Sequence, residues 1–237
     1  DQKNARFGWV DFIDDYEVVV ALFDAAIAWS KSKGMTAIHG PLGFTDFDHE
    51  GLLIHGFDRN GTLATIYNYP YYPVLIEKYG FEKDIDWNEY LITIPEVYPE
   101  KYYRVAEIVK QKYKLRPLRF KSRKEVVDNY ALKIFDLLNL CYSHLYGFTK
   151  LNEKQIAFYI KLYFSFFRLD TISIVVDEKD DVVALGIAMP SFTKALQKAK
   201  GSLFPFGWYY MLNALRKNDL LDLYLMAVHP DYQSKGI

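Results

Sequence analysis

The sequence predicts a mixed α+β fold, and three observations carry that prediction. Short runs rich in β-branched and aromatic residues alternate with longer stretches of helical period. Glycine or proline punctuates most changes of pattern. An acidic turn at 177–181 separates two apolar runs as in a β-hairpin, which adds an antiparallel component to a chain that otherwise alternates strand and helix.

In the first half, residues 6–13 (RFGWVDFI) read as a strand. Asp14 and Asp15 are candidate N-caps, since their carboxylates can accept the free amides of a first helical turn. A helix is expected over 16–33, with Val19, Leu22, Phe23, Ala26 and Trp29 as its apolar stripe and Gly34 as its stop. Residues 36–40 form a second strand, so the order is strand, helix, strand. Residues 44–68, with Gly51, Gly56 and Gly61, are expected to be mostly loop. A short helix over 73–79 ends at Gly80, and residues 87–95 (WNEYLITIP) alternate as a strand does.

The second half opens with a strand at 115–120 and a helix over 124–146, whose apolar face carries Val127, Tyr130, Ile134, Leu137, Leu138, Cys141 and Leu145. Another helix starts at Asn152 or Glu153 and runs to Phe167. Strands at 171–176 and 182–189 flank the acidic turn. A short helix over 193–200 and an apolar segment at 203–215 lead to a strand at 220–228 (LLDLYLMAV) and the ending HPDYQSKGI.

Composition narrows the function classes. The 237 residues suffice for one large domain or two small ones, at roughly 100–200 residues each. A balance of 29 basic and 30 acidic residues leaves no global field toward nucleic acid or anionic lipid. A hydrophobic content of 51% excludes intrinsic disorder. The lone Cys141 excludes a disulfide framework and reads as a small core residue. The most apolar stretch, 156–169, is short and contains Lys161, so no membrane span is expected; a span needs about 20 apolar residues. No signal peptide is visible, and a cytoplasmic location is expected. The start at Asp1 and the stop inside a glycine-containing turn at Ile237 suggest a piece of a longer protein.

Residues 101–124 hold ten basic residues against Glu107 alone. Such a stripe fits either a phosphate- or nucleic-acid-binding surface, or a solvated linker helix followed by an edge strand guarded by charge. Sparse aromatic interleaving favours the second, and nucleic acid is not expected as a partner. In Asp46-x-Asp48-x-Glu50-Gly51 a calcium loop would need Glu at the twelfth position, which is Phe57, so an EF-hand is rejected. Asp46, Asp48, His49 and His55 read as an acidic turn flanked by histidines, and no metal is expected. His39 and His144 read as structural.

The most informative stretch is 223–237. An apolar strand runs into a proline and then a polar turn ending Lys235-Gly236, where successive backbone amides can form an anion-binding nest. The run from Val228 through His229, Pro230, Asp231, Tyr232, Gln233, Ser234, Lys235, Gly236 and Ile237 resembles the acyl-CoA-binding motif of the GNAT N-acyltransferase superfamily. There a strand ending V-x-P-x-[YFW] leads into [QR]-x-x-G-x-[GA]. Gln233 to Ile237 match the first five turn positions. The segments GPLGFTDFDHEGLL, IYNYPYYPVLIEKYGFEKDIDW and FPFGW also resemble a family of bacterial tandem GNAT-like proteins.

That resemblance implies tandem GNAT-like folds, both incomplete here. Residues 1–98 would be the later half of a first copy and 99–114 a basic linker helix. Residues 115–237 would be the earlier half of a second copy, ending in the CoA pyrophosphate loop. It implies transfer of an acyl group, acetyl or longer, from acyl-CoA to an unknown small-molecule or peptide amine. The implied cofactor contacts are Ala227, Val228, Gln233, Ser234, Lys235, Gly236 and Ile237, with a backbone amide near Ala227 and Val228 polarising the thioester carbonyl. His229 is a candidate base, and Tyr72 and Tyr79 are candidate acids near the place of the family's tyrosine, where Ile76 stands. The first copy carries Asp14-Asp15-Tyr16-Glu17 in place of the glycine turn, and those carboxylates would repel a pyrophosphate. A non-catalytic module binding a small molecule or a protein partner is the alternative.

Overall fold

The computed structural model describes residues 3–163 and 167–237. Within it the chain divides into two units, Asp1–Leu91 and Ile92–Ile237, with a mixed α+β content and two small sheets.

In the first unit, β1 (Asn4–Arg6) pairs in parallel with β2 (Ala37–His39), and α1 (Tyr16–Ser32) joins them. The extended run expected over 6–13 stops early. The Phe7 amide still donates to the His39 carbonyl at 3.0 Å. Then Gly8 lies so close to the Leu42 backbone that a Cβ would meet its carbonyl oxygen at 2.4 Å, and Trp9 turns to φ +48°. Asp15 caps α1, its Oδ1 accepting the Glu17 amide at 2.9 Å. Of the expected stripe, Val19 and Phe23 are buried but Leu22 and Trp29 are exposed, because a two-stranded sheet is too narrow to cover more of the helix.

The second helix, α2 (Tyr71–Tyr79), ends at Gly80, whose φ of +118° suits a residue without a Cβ. Phe12, Val19, Phe23, Tyr72 and Ile76 form the core, with Phe7, Tyr79 and Phe81 packed against it. The Phe12 and Tyr72 rings stack at 4.3 Å. The strand expected over 87–95 is not formed. Alternation specifies a strand only where a neighbour completes the ladder, and here Tyr90, Leu91, Ile92 and Ile94 are exposed.

The second unit begins with α3 (Glu100–Lys112), which has no buried residue. Its sheet is antiparallel throughout, in the order β3 (Arg116–Pro117), β4 (Ile172–Val176), β5 (Val182–Pro190) and β6 (Leu221–Val228). The strand expected over 115–120 shrinks to two ladder residues, since Pro117 has no amide to donate. Between β3 and β4 come α4 (Arg123–Tyr142) and α5 (Glu153–Tyr163). The expected continuation of α5 to Phe167 crosses residues 164–166, which lie outside the described residues. The connection between β5 and β6 contains α6 (Thr193–Ala199) and α7 (Gly207–Arg216).

Helix α4 packs on β5 and β6, burying Val126, Ile134, Leu137, Leu138 and Cys141. The rows Ile172–Ile187–Leu225 and Ile174–Leu185–Ala227 cross the sheet on one face, and Ile174 and Ile187 are almost wholly buried. Buried Asn139 fixes the turn toward α5, accepting the Leu151 amide at 2.9 Å and donating to its carbonyl at 3.3 Å. Leu138→Ala, at a position 1% exposed, is expected to cost about 2–5 kcal/mol, read as the drop in urea-unfolding free energy.

Candidate functional site

The site is built on β6 and the turn that follows it. His229 donates its amide to the Val183 carbonyl at 2.8 Å. Since antiparallel pairs alternate, Ala227 also faces β5, whereas Met226 and Val228 direct their backbone groups to the open edge. Side chains cover part of that edge. The Tyr142 hydroxyl donates to the Met226 carbonyl at 3.0 Å and accepts its amide at 3.3 Å. The Val228 carbonyl accepts the Cys141 thiol at 3.2 Å and Gln233 Nε2 at 3.1 Å. Further up the strand, the register steps from Leu225 to Leu223 as β5 passes from Ile187 to Ala188, leaving Tyr224 as the extra residue of a β-bulge.

Beyond Val228 the chain makes one 3₁₀ turn, Pro230–Tyr232. The Gln233 and Lys235 amides close this turn on the carbonyls of Pro230 and Tyr232, at 3.3 and 3.4 Å. Ser234 and Gly236 both adopt positive φ, +61° and +80°. The amides of Ser234, Gly236 and Ile237 have no hydrogen-bond acceptor among the described residues. Three free amides, two of them on left-handed residues, in a turn that also carries Lys235 suit an oxygen-rich anion. A Cβ at Gly236 would meet Val109 Cγ2 at 3.6 Å and Val105 Cγ1 at 3.9 Å, so this turn lies on α3.

On the sheet face opposite the buried rows, Ser173–Gly186–Met226 and Val175–Ala184–Val228 line an open groove of ≈ 340 Å³ that reaches Ile237. Gly186 and Ala184 contribute little or no side chain, which sets its floor close to the sheet backbone. The structure thus brings Ala227, Val228 and Gln233–Ile237 together as one strand-and-turn feature. Sequence reasoning missed Cys141 and Tyr142 at its edge, Val105, Val109 and Tyr113 beside its turn, and Ser173 and Gly186 in its floor. These approach from far along the chain, Cys141 from 87 residues away and the α3 residues from further still, and no local pattern announces them.

His229 Nδ1 accepts the Asp231 amide at 3.2 Å, so a neutral ring carries its proton on Nε2 and offers a donor there. Burial pushes the Cys141 thiol up, which leaves it unsuited to nucleophilic attack. In the first unit Tyr72 donates to Asp11 Oδ1 and accepts the Phe12 amide. Burial and then the Asp11 bond raise its pKa to about 12. Tyr79 donates to Asp24 at 2.6 Å, and that bond, with burial, raises it to about 12 as well. Both hydroxyls therefore hold their protons and help to fasten α2 to the rest of the unit.

Around Asp46 the loop is tied by its own side chains. Asp48 Oδ2 accepts the Thr45 amide at 3.0 Å, and Arg6 donates to the Gly43 carbonyl at 3.0 Å. Burial and the neighbouring Asp46 and Asp48 push Glu50 up to about 7, against the opposing pull of Arg6. Burial likewise lowers His39 and keeps it neutral at pH 7.

No family model matches this chain, and neither does any solved structure. Two curated proteins are similar to it. Protein YghO of Escherichia coli (strain K12) is 28% identical over 239 residues, covering 100% of this chain and 60% of the relative. A bacterial ceramide synthase of Caulobacter vibrioides (strain NA1000 / CB15N) is 28% identical over 240 residues, covering 98% of this chain and 60% of the relative. The chain spans about 60% of the length of the curated relatives it matches. Among the described residues, no helix is long and apolar enough to cross a membrane.

Tyr142→Phe removes both bonds to Met226 at a partly solvated edge and is expected to cost about 0.5–1.5 kcal/mol in chemical denaturation. Glu50 is protonated more tightly in the folded than in the unfolded state. Its contribution therefore falls as pH rises from the ordinary carboxylate range to about 7, and stays reduced above that. Glu50→Gln is expected to stabilise the protein by about 1–2 kcal/mol at pH 8, after allowance for solvent screening, and to change little at pH 4.

Proposed function

We propose that the chain belongs to an acyl-CoA-dependent N-acyltransferase of GNAT-like fold, with the second unit receiving the acyl-CoA, acetyl or longer. The observation that carries this reading is the turn after β6, where the Ser234, Gly236 and Ile237 amides lie free beside Lys235. One similar protein is named a ceramide synthase, which supports an acyl transfer; a ceramide is a fatty amide, so making one acylates an amine. The tandem arrangement, with copies divided at 98 and 115 by a basic linker helix, belongs to the same proposal.

In this reading the turn amides and Lys235 hold the diphosphate, and the small-residue groove over Gly186 takes the extended chain that leads to the thioester. Acyl-CoA supplies an activated carbonyl. An amine attacks it directly, a C–N bond forms, the C–S bond breaks, and the amine proton is lost as the thiol is made. The Val228 amide at the open edge is the group placed to polarise the carbonyl, a role the inward-facing Ala227 amide does not share. With its proton on Nε2, His229 suits protonation of the leaving thiolate better than removal of the amine proton.

In the first unit the groups at the corresponding places already have partners within the chain. Asp15 fills the N-terminus of α1 with its own carboxylate, and Tyr72 and Tyr79 are held by Asp11 and Asp24. These observations favour a structural or acceptor-binding role for that unit and are the basis of the second reading, a non-catalytic binding module.

Calorimetric titration of the natural full-length protein with acetyl-CoA and palmitoyl-CoA tests the proposal. Saturable binding is expected, at least tenfold weaker in Gly236→Glu, which places a strained side chain and a negative charge at φ +80°. Absence of binding at millimolar ligand would overturn the enzyme reading in favour of the module.

A further inference from the structure

The basic helix α3 does not stand apart from the glycine turn. Val105 and Val109 face Gly236, and Lys112, three residues beyond Val109, lies on the same helical face. After the helix, Lys114 takes a left-handed conformation at φ +53° and Leu115 donates back to the Lys110 carbonyl at 2.9 Å, which fixes Tyr113 against the turn. The Tyr113 and Tyr232 rings meet edge to face at 6.4 Å. Lys235 Nζ lies 5.1 Å from each ring centre, and Lys112 Nζ lies 5.2 Å from that of Tyr113.

Two ammonium groups therefore share one phenol ring, and neither has a carboxylate partner among the described residues. Their neighbours differ: Lys110 pairs with Glu107 at 3.2 Å and Lys114 with Glu178 at 2.7 Å. The acidic hairpin near Tyr232 makes no direct ion pair with either lysine. Its Glu178 pairs with Lys114 and its Asp180 with Arg116 and Lys133, and Asp177 accepts the amides of Lys179 and Asp181. Neither Asp181 nor Asp231, which also lie near Tyr232, comes within ion-pair distance of Lys112 or Lys235 among the described residues. Crowding two cations costs energy unless an anion lies between them. The free amides of Ser234, Gly236 and Ile237 flank Lys235 along the chain.

We infer that α3 and the glycine turn form a two-sided clamp for a diphosphate, with Lys235 and the turn amides on one side and Lys112 on the other. Tyr113 is the spacer that sets the separation of the two ammonium groups. The ligand class is an organic diphosphate, and on the reading above it is the diphosphate of acyl-CoA. The inference rests on that reading only for the identity of the ligand. The basic stripe then has a local use at one end of α3, where its charge reinforces an anion site that the turn alone leaves half built.

The test titrates CoA, inorganic pyrophosphate and pantetheine into the natural full-length protein and its Lys112→Gln, Lys235→Gln and Lys110→Gln variants. Lys112→Gln is expected to weaken CoA and pyrophosphate at least fivefold, as Lys235→Gln does. Lys110→Gln, already paired with Glu107, is expected to leave both unchanged, and no variant should alter whatever binding pantetheine shows. Full-strength CoA binding in Lys112→Gln overturns the clamp while the acyl-CoA reading stands. Pyrophosphate binding that depends on Lys112, without CoA binding, keeps the clamp and overturns the acyl-CoA reading. Absence of both ligands from the unaltered protein overturns both.

Discussion

The pairing of β5 with β6 is the constraint on which the second unit depends. β5 has ladder partners on both sides and is buried along nearly its whole length, whereas β6 is paired on one side only. Once the His229 amide is committed to Val183, the alternation of the ladder sends Val228 and Met226 outward. An open edge of backbone groups in a small unit needs hydrogen-bond partners or solvent. Here the end of α4 supplies Tyr142 and Cys141, and the turn itself supplies Gln233. What remains uncommitted is concentrated beyond Gln233, and that is where the proposed anion site lies.

The two units treat the region after a strand in opposite ways. In the first, Asp15 supplies a carboxylate to the opening turn of α1, so the positive end of the helix is satisfied from within the chain. In the second, the turn after β6 carries lysine and glycine, and several amides stay free. The difference is electrostatic as well as conformational. A carboxylate both occupies the donors and repels a phosphate, while a glycine at positive φ exposes donors at no steric cost.

Apolar packing and charge divide the labour elsewhere in the second unit. Helix α4 is held by aliphatic side chains over the centre of the sheet. By contrast α3 buries none of its residues fully and meets the glycine turn through two valines and the ring of Tyr113. A helix held so lightly keeps its lysines solvated and available, which a deeply packed helix would not.

The sequence by itself determined the kinds of element and most of their places. The apolar period of α4, the stop at Gly80, the acidic hairpin turn and the glycine turn at 233–237 are local signals, set by side-chain period and by backbone freedom at single residues. It also marked the basic run containing α3, where sparse aromatic interleaving favoured a solvated linker helix and a charge-guarded edge strand. Tertiary structure decided what depends on a partner far along the chain. Residues 87–95 have the alternation of a strand and no ladder to join, and Leu22 and Trp29 lie on a helical stripe that a two-stranded sheet is too narrow to cover. The same holds for the site: Gln233 to Ile237 were legible as a motif, but Tyr142, Cys141, Tyr113 and Gly186 reach it only because antiparallel pairing and helix packing bring distant segments to one edge. Local periodicity encodes which way a residue faces along its own element, and it carries no record of what another element will place there.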